Sequence, residues 1–233
     1  MAQKINPTGV RLGISQLWVS SIQFYGRSFK SYFLLLQYYI RSFLFLKKLS
    51  NVTGFLINYQ QWRIKKSNDI ALNIYYTQSF FAVNNNFVKF YNQIQNTLGV
   101  LFKKRIGICF YLTASPFLSK NLLYSYSQFL TRESLVAKKI LWSFSKLLSE
   151  HLNSLRLIST PQGLKISKLK GFKIQLVGRL DDSKTQMAKS LNLNIGNLGS
   201  TSLGDFIVYS ASALHSKSGT CGLKIWLFYE LVQ

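Results

Sequence analysis

The chain has 233 residues, of which 29 are Lys or Arg and seven are Asp or Glu, a formal net charge of +22. A free domain carrying that charge repels itself, which calls for a polyanionic partner. Nucleic acid is the first candidate, because neutralised phosphates release counterions. At 48% hydrophobic residues the chain is too apolar to be a disordered basic tail.

Residues 3–14 read Gln3-Lys4-Ile5-Asn6-Pro7-Thr8-Gly9-Val10-Arg11-Leu12-Gly13-Ile14 and carry neither a helical nor a strand period. Pro7 fixes its own φ and pushes Asn6 towards extended geometry, while Gly9 and Gly13 admit states other residues resist. The reading is an extended arm over residues 1–20 that orders only against an outside surface. Its only charges, Lys4 and Arg11, make that surface anionic and are candidate RNA contacts.

Ser28 to Ser50 reads as a helix with a wide apolar face, and Asn51-Val52-Thr53-Gly54 as a turn. The stretch Tyr59 to Lys66 brings three candidate cations, Arg63, Lys65 and Lys66. Ile70, Leu72, Ile74 and Tyr76 alternate at period two, which predicts a strand. Asn84-Asn85-Asn86 offers cap chemistry for a following helix. There Phe87, Phe90, Tyr91, Ile94, Leu98, Leu101 and Phe102 recur at spacings of three and four. Lys103, Lys104 and Arg105 stand at its C-terminal end, favourably for the helix dipole. Ile106, Ile108, Phe110 and Leu112 alternate again as a strand. Helix, strand, helix, strand over residues 21–118 is an α/β module, with Pro116 near its close.

Leu122 to about Leu155 predicts a long helix, broken near Thr131. Arg132, Lys139 and Lys146 recur every seven residues, which puts them on one face with Lys138 beside them. A solvated surface and a nucleic-acid contact both produce such a row. A second sheet begins beyond Gly163 and the Lys165–Lys173 region, which includes Lys170. Phe172, Ile174, Leu176, Gly178 and Leu180 alternate with Lys173, Gln175, Val177 and Arg179, giving one apolar and one partly basic face. Asp181-Asp182 reads as a turn and Ser190 to Gly204 as a polar connection. Asp205–Leu214 and Gly222–Glu230 complete the strands, the last carrying Lys224. Residues 119–233 thus form a second α+β domain with a mixed or antiparallel sheet, and the chain as a whole is α+β.

Three segments carry a resemblance. Residues 3–14 are similar to a Gln-Lys-x-x-Pro-x-Gly-x-Arg-Leu-Gly opening. Gly171 to Leu180 resembles Gly-x-Lys-x-x-x-x-Gly-Arg-Leu, and Gly222 to Phe228 resembles Gly-x-Lys-x-Trp-x-Phe. All three, in this order, are similar to motifs of the small-subunit ribosomal protein S-three family. The resemblance implies that residues 21–118 hold a KH-like domain of type II. A KH domain clamps four nucleotides through a Gly-x-x-Gly loop. No glycine occurs between Gly54 and Gly99, and the equivalent stretch Ser79 to Asn84 lacks one, so the module is expected to be degenerate.

The resemblance further implies a structural constituent of the small ribosomal subunit, seated on small-subunit rRNA in the head. The helix with Arg132, Lys138, Lys139 and Lys146 would face incoming messenger RNA, and head proteins of the S-ten and S-fourteen families would be neighbours. The same RNA-binding role extends to Lys170, Lys173, Arg179 and Lys224 on the second sheet. Abundant Phe, Tyr, Asn, Ile, Leu, Ser and Lys suggest A/T-rich codons, as in an organelle-borne gene. With the altered KH loop, this favours the mitochondrial matrix over the plastid. A motif starting at residue 3 leaves no room for a leader peptide.

Catalytic chemistry is not expected. Phosphate loops of the Gly-x-x-x-x-Gly-Lys type and His-Glu-x-x-His motifs do not occur. Cys109, Cys221, His151 and His215 are too scattered for a zinc site. No cofactor is expected, with Mg²⁺ only as part of bound rRNA. Arg41 and Lys47-Lys48 cut the apolar stretch at residues 33–46, so no membrane insertion is expected. The alternative reading is a free-standing organellar RNA-processing or splicing factor.

Overall fold

A computed structural model describes residues 5–18, 56–64, 70–77, 87–102, 106–112, 119–132, 137–180, 187–216 and 219–232. The expected helix Ser28–Ser50, the KH-equivalent loop 79–84, the Asn84–Asn86 cap and Asp181-Asp182 lie outside the described residues. In chain order the elements are α1 (Pro7–Arg11), β1 (Leu56–Ile64), β2 (Ile70–Thr77), α2 (Phe87–Phe102) and β3 (Ile106–Leu112). Then follow α3 (Lys120–Arg132), α4 (Ala137–Glu150), β4 (Leu155–Thr160), β5 (Gly163–Gly178), β6 (Lys189–Gly196), β7 (Phe206–Ser216) and β8 (Gly219–Val232). The chain is α+β and divides into two compact units, residues 22–116 and residues 117–233 together with 1–21.

In the unit 22–116, β1 pairs antiparallel with β2, and β2 pairs parallel with β3. A parallel pair needs a crossover, and α2 supplies it. Leu72 and Ile74 on β2 and Ile94 and Leu98 on α2 are all fully buried. Tyr91 of α2 reaches Phe110 of β3, with ring centroids 6.0 Å apart.

The other unit is built on an antiparallel sheet in the order β4-β5-β8-β7. The 16-residue β5 pairs along one edge with β8. Its other edge takes β4 over its first half and β6 over its second. Alternation decides the core. Phe172, Ile174 and Leu176 of β5 and Leu223, Ile225, Leu227 and Tyr229 of β8 share one face. That face buries against Leu123 and Leu130 of α3 and Ile140, Phe144 and Leu148 of α4.

Three expectations are corrected here. The helix expected to reach Leu155 ends at Glu150, and Leu155 opens β4. Asn153 takes a left-handed φ of 65°, which asparagine tolerates better than most residues, and its N–H turns away to donate to the Leu169 carbonyl at 3.0 Å. The polar connection from Ser190 contains β6, where Leu191, Leu193 and Ile195 face the core and Asn192 and Asn194 face out. Third, the arm is not extended throughout. Asn6 caps a single helical turn, accepting hydrogen bonds from the Thr8 N–H at 3.1 Å and the Thr8 hydroxyl at 2.8 Å. Pro7 sits where its missing N–H costs nothing.

Nor does the arm wait for RNA to order it. Arg11 is only 3% exposed. Its Nε donates to the Asp205 carbonyl at 3.2 Å, and its Nη1 to the Pro7 carbonyl at 3.1 Å. Nη2 donates to the Ser200 and Ser202 carbonyls at 3.1 and 2.6 Å. Burial lowers the pKa of the guanidinium, and nearby Asp205 pulls it back up. Gln16 adds a second anchor, its side-chain amide donating to the Ile207 carbonyl at 2.6 Å.

Two glycines of the motif Gly171–Leu180 are explained by space. A Cβ on Gly171 would stand 2.7 Å from the backbone oxygens of Ile195 and Asn197. A Cβ on Gly178 would stand 2.7 Å from the Cys221 Sγ and 2.9 Å from its Cα.

We expect Arg11→Ala to destabilise the chain by about 2–3 kcal/mol, because charge-assisted bonds to four part-buried carbonyls are lost. Urea unfolding checks this, and Arg11→Lys should recover little, since one ammonium cannot span four acceptors. Gly171→Ala and Gly178→Ala should each cost about 1–3 kcal/mol by overpacking, read as a lowered denaturation midpoint. Tyr229 gives a pH dependence. It is fully buried, and burial pushes its phenol up to about 12 despite the opposing pull of Arg156. The unfolded phenol titrates near ~10, so its contribution is intact below pH ~10 and is lost as pH rises through 12. Tyrosinate absorbance should show a late-ionising phenol that titrates together with alkaline unfolding.

Candidate nucleic-acid interface

Helix α4 is positioned by its apolar edge. Ile140, Phe144 and Leu148 follow one another every four residues, and none is more than 2% exposed. Phe144 also meets Tyr126 of α3 edge-on, with centroids 5.2 Å apart, and the Tyr126 phenol is hydrogen-bonded to Ser143. Once that edge is fixed to the sheet, the helical period forces Lys138, Lys139, Trp142 and Lys146 outward, and all four are exposed. Lys139, Trp142 and Lys146 are spaced by three and four residues, so they form one ridge. The rise from Lys139 to Lys146 is about 10 Å. The Lys146 Nζ lies 5.9 Å from the Trp142 ring centroid.

Arg132 is the last residue of α3, and α4 opens at Ala137.

A second basic surface is the sheet face turned away from the helices. Cross-strand partners there run Asn194, Lys173, Trp226, Tyr209 in one row and Asn192, Gln175, Lys224, Ala211 in the next. Lys173 places its Nζ 5.7 Å from the Trp226 ring centroid, and Tyr209 packs on the same ring at 5.3 Å. Burial raises the pKa of the Tyr209 phenol. Beyond these rows lie the small residues Gly222 and Ala213 opposite Val177, and then the exposed Arg179. Amide, cation and small side chains make this end of the face polar. Its opposite end is apolar, with Leu155, Leu157, Leu164 and Ile166 between 49% and 74% exposed. In between, α1 lies over Ile207, and Pro7 and Val10 line a groove with Leu198, Trp226 and Phe228.

The sequence-derived cations therefore fall into different classes. Lys138, Lys139, Lys146, Arg179 and Lys224 are exposed, and Lys173 is half-buried against Trp226. Lys170 makes an ion pair with Glu230 at 2.6 Å, on a surface where such pairs are worth little and a phosphate can compete. Arg11 is withdrawn into the fold, so its charge serves protein carbonyls rather than an outside anion. Arg63 stands on β1 opposite Ala71. Lys4, Lys65, Lys66, Lys103, Lys104 and Arg105 lie outside the described residues.

Reasoning from sequence missed Trp142. Its signal was its spacing, three residues after Lys139 and four before Lys146, which marks it as outward once the lysines are taken as outward. Among the described residues no group of three or more His, Cys, Asp and Glu side chains could hold a metal ion. Cys109 carries an exposed thiol, and the buried Cys221 thiol donates to the Arg179 carbonyl at 3.1 Å. No helix among the described residues is long and apolar enough to cross a membrane.

No family model matches the sequence. The chain is 40% identical over 229 residues to the small ribosomal subunit protein uS3m of Chondrus crispus, a match covering 98% of this chain and 94% of that protein.

Proposed function

The chain belongs to the small ribosomal subunit protein uS3m family, and from that premise we propose that it is a structural, non-catalytic constituent of the mitochondrial small ribosomal subunit. It sits on rRNA in the head of the subunit, beside neighbours of the S-ten and S-fourteen families. The observation that carries this reading is the extent of the likeness, which takes in 98% of the chain and so both compact units. The net charge of +22 suits a lasting polyanionic partner. Residues 22–116 act as a reduced KH-like module that packs without clamping nucleotides.

In this reading the α4 ridge faces incoming messenger RNA. Its lysines meet phosphates, which carry no sequence information, as a path that accepts every message requires. The polar end of the open sheet face, with Lys173, Lys224 and Arg179, contributes rRNA contacts of the same kind.

Sedimentation of organelle lysate tests the assignment. The chain should stay with small-subunit rRNA through a high-salt wash, whereas release to the soluble fraction would favour a free-standing RNA-processing factor. For the ridge, Lys138→Ala with Lys139→Ala should slow translation of structured messages by purified mitoribosomes more than that of unstructured ones. The double variant should also lower the salt slope of RNA binding by about one per lysine. Equal rates on both message types, with normal assembly, would remove the ridge from the messenger path.

A further inference from the structure

We propose that Trp142 is a stacking platform for a base of single-stranded RNA, held between Lys139 and Lys146. The proposal rests on the reading of α4 as an RNA-facing helix and adds to it a residue that grips a base rather than a phosphate.

Trp142 is 67% exposed, although indole is the largest apolar side chain and its helix has a well-filled buried edge three residues wide. Its place on the helix keeps it out of that edge: Ile140 and Phe144, two residues to either side, point into the core. Ile140 and Phe144 fix the backbone beneath it to the core, and the Ser145 hydroxyl donates to the Trp142 carbonyl at 2.7 Å. A rigid aromatic loses little conformational freedom when something stacks on it.

The surroundings select the kind of ligand. Lys138, Lys139 and Lys146 lie within one helical turn of Trp142, and Glu150 is the one carboxylate in α4. A protein surface docking here would have to bring carboxylates and an apolar face separately. A nucleotide brings a phosphate and a π-face already joined. The Lys146 ammonium lies over one face of the indole, 5.9 Å from the ring centroid, where the ring quadrupole attracts it, and the opposite face is the one on which a base stacks. Stacking tolerates any sequence because every base has a π-face. It also discriminates by strandedness, since bases within a duplex are already stacked on each other.

The test uses the purified full chain with a labelled 12-nucleotide RNA, single-stranded or annealed to its complement, over a range of salt. Trp142→Ala should weaken single-strand binding about 5- to 150-fold, the range expected for one stacked base. Duplex affinity and the salt slope should stay unchanged, and Trp142→Phe should recover most of the loss. Because the side chain is exposed, the melting temperature should hold. Unchanged single-strand affinity in Trp142→Ala overturns the proposal, and so does an equal loss on single strand and duplex. Lys139→Ala with Lys146→Ala tests the underlying reading independently. It should lower the salt slope by about two on both RNAs, and an unaltered slope there overturns the RNA-facing helix, whatever Trp142 does.

Discussion

Arg11 is the contact on which the larger unit depends. A buried guanidinium is costly unless its donors are matched, and four carbonyls, three of them between Ser200 and Asp205, match them. The loop that supplies three of them follows Leu198, which packs against Ile207, Trp226 and Phe228. It is glycine- and serine-rich, lies between β6 and β7, and turns its carbonyls inward because a cation is there. Arm and loop thus order one another. Their joint surface lies over Ile207, Trp226 and Phe228, the apolar patch on the sheet face away from the helices.

The period of two along β5 and β8 sets the rest. Side chains on one face fill the core with α3 and α4; those on the other are left to the arm, to Trp226 and Tyr209, and to polar residues. Since α4 uses one edge to close the core, its opposite ridge has to be solvent-facing. The two cationic surfaces are therefore not independent features. Both follow from a single sheet that buries one side, and a substitution that shifted the register of β5 by one residue would exchange apolar for basic side chains on both faces.

Strong periodicity was legible in the sequence. β2, α2, β3 and β8 lie where alternation or three-and-four spacing put them, whereas β5 begins at Gly163, nine residues before the alternation from Phe172 that marked it. Short elements were not. β6 was hidden by its Asn and Ser content, although Leu191, Leu193 and Ile195 keep the strand period. β4 went unread because the helical stripe was carried as far as Leu155, its first residue, past the left-handed turn at Asn153. Arg11 shows a different limit. Sequence reports its charge and its place in a motif, but whether that charge meets phosphate or backbone carbonyl depends on residues 189 and more positions away. Trp142 was passed over although its spacing from Lys139 and Lys146 puts it on their side of the helix, because only the charged members of that row were followed.

That separation along the chain has a consequence during synthesis. Arg11 is among the first residues made, and its partner Ser200 follows 189 positions later. At the usual pace of elongation the arm is out for roughly 10–40 s before its acceptors exist. Throughout that interval Arg11 has only the Pro7 carbonyl of its own turn as a partner, and the patch of Ile207, Trp226 and Phe228 that the arm covers is made later still. Any product truncated before residue 200 stays in that unsealed state permanently. The first segment made and one of the last are thus joined by a single side chain, so the arm settles only late in synthesis.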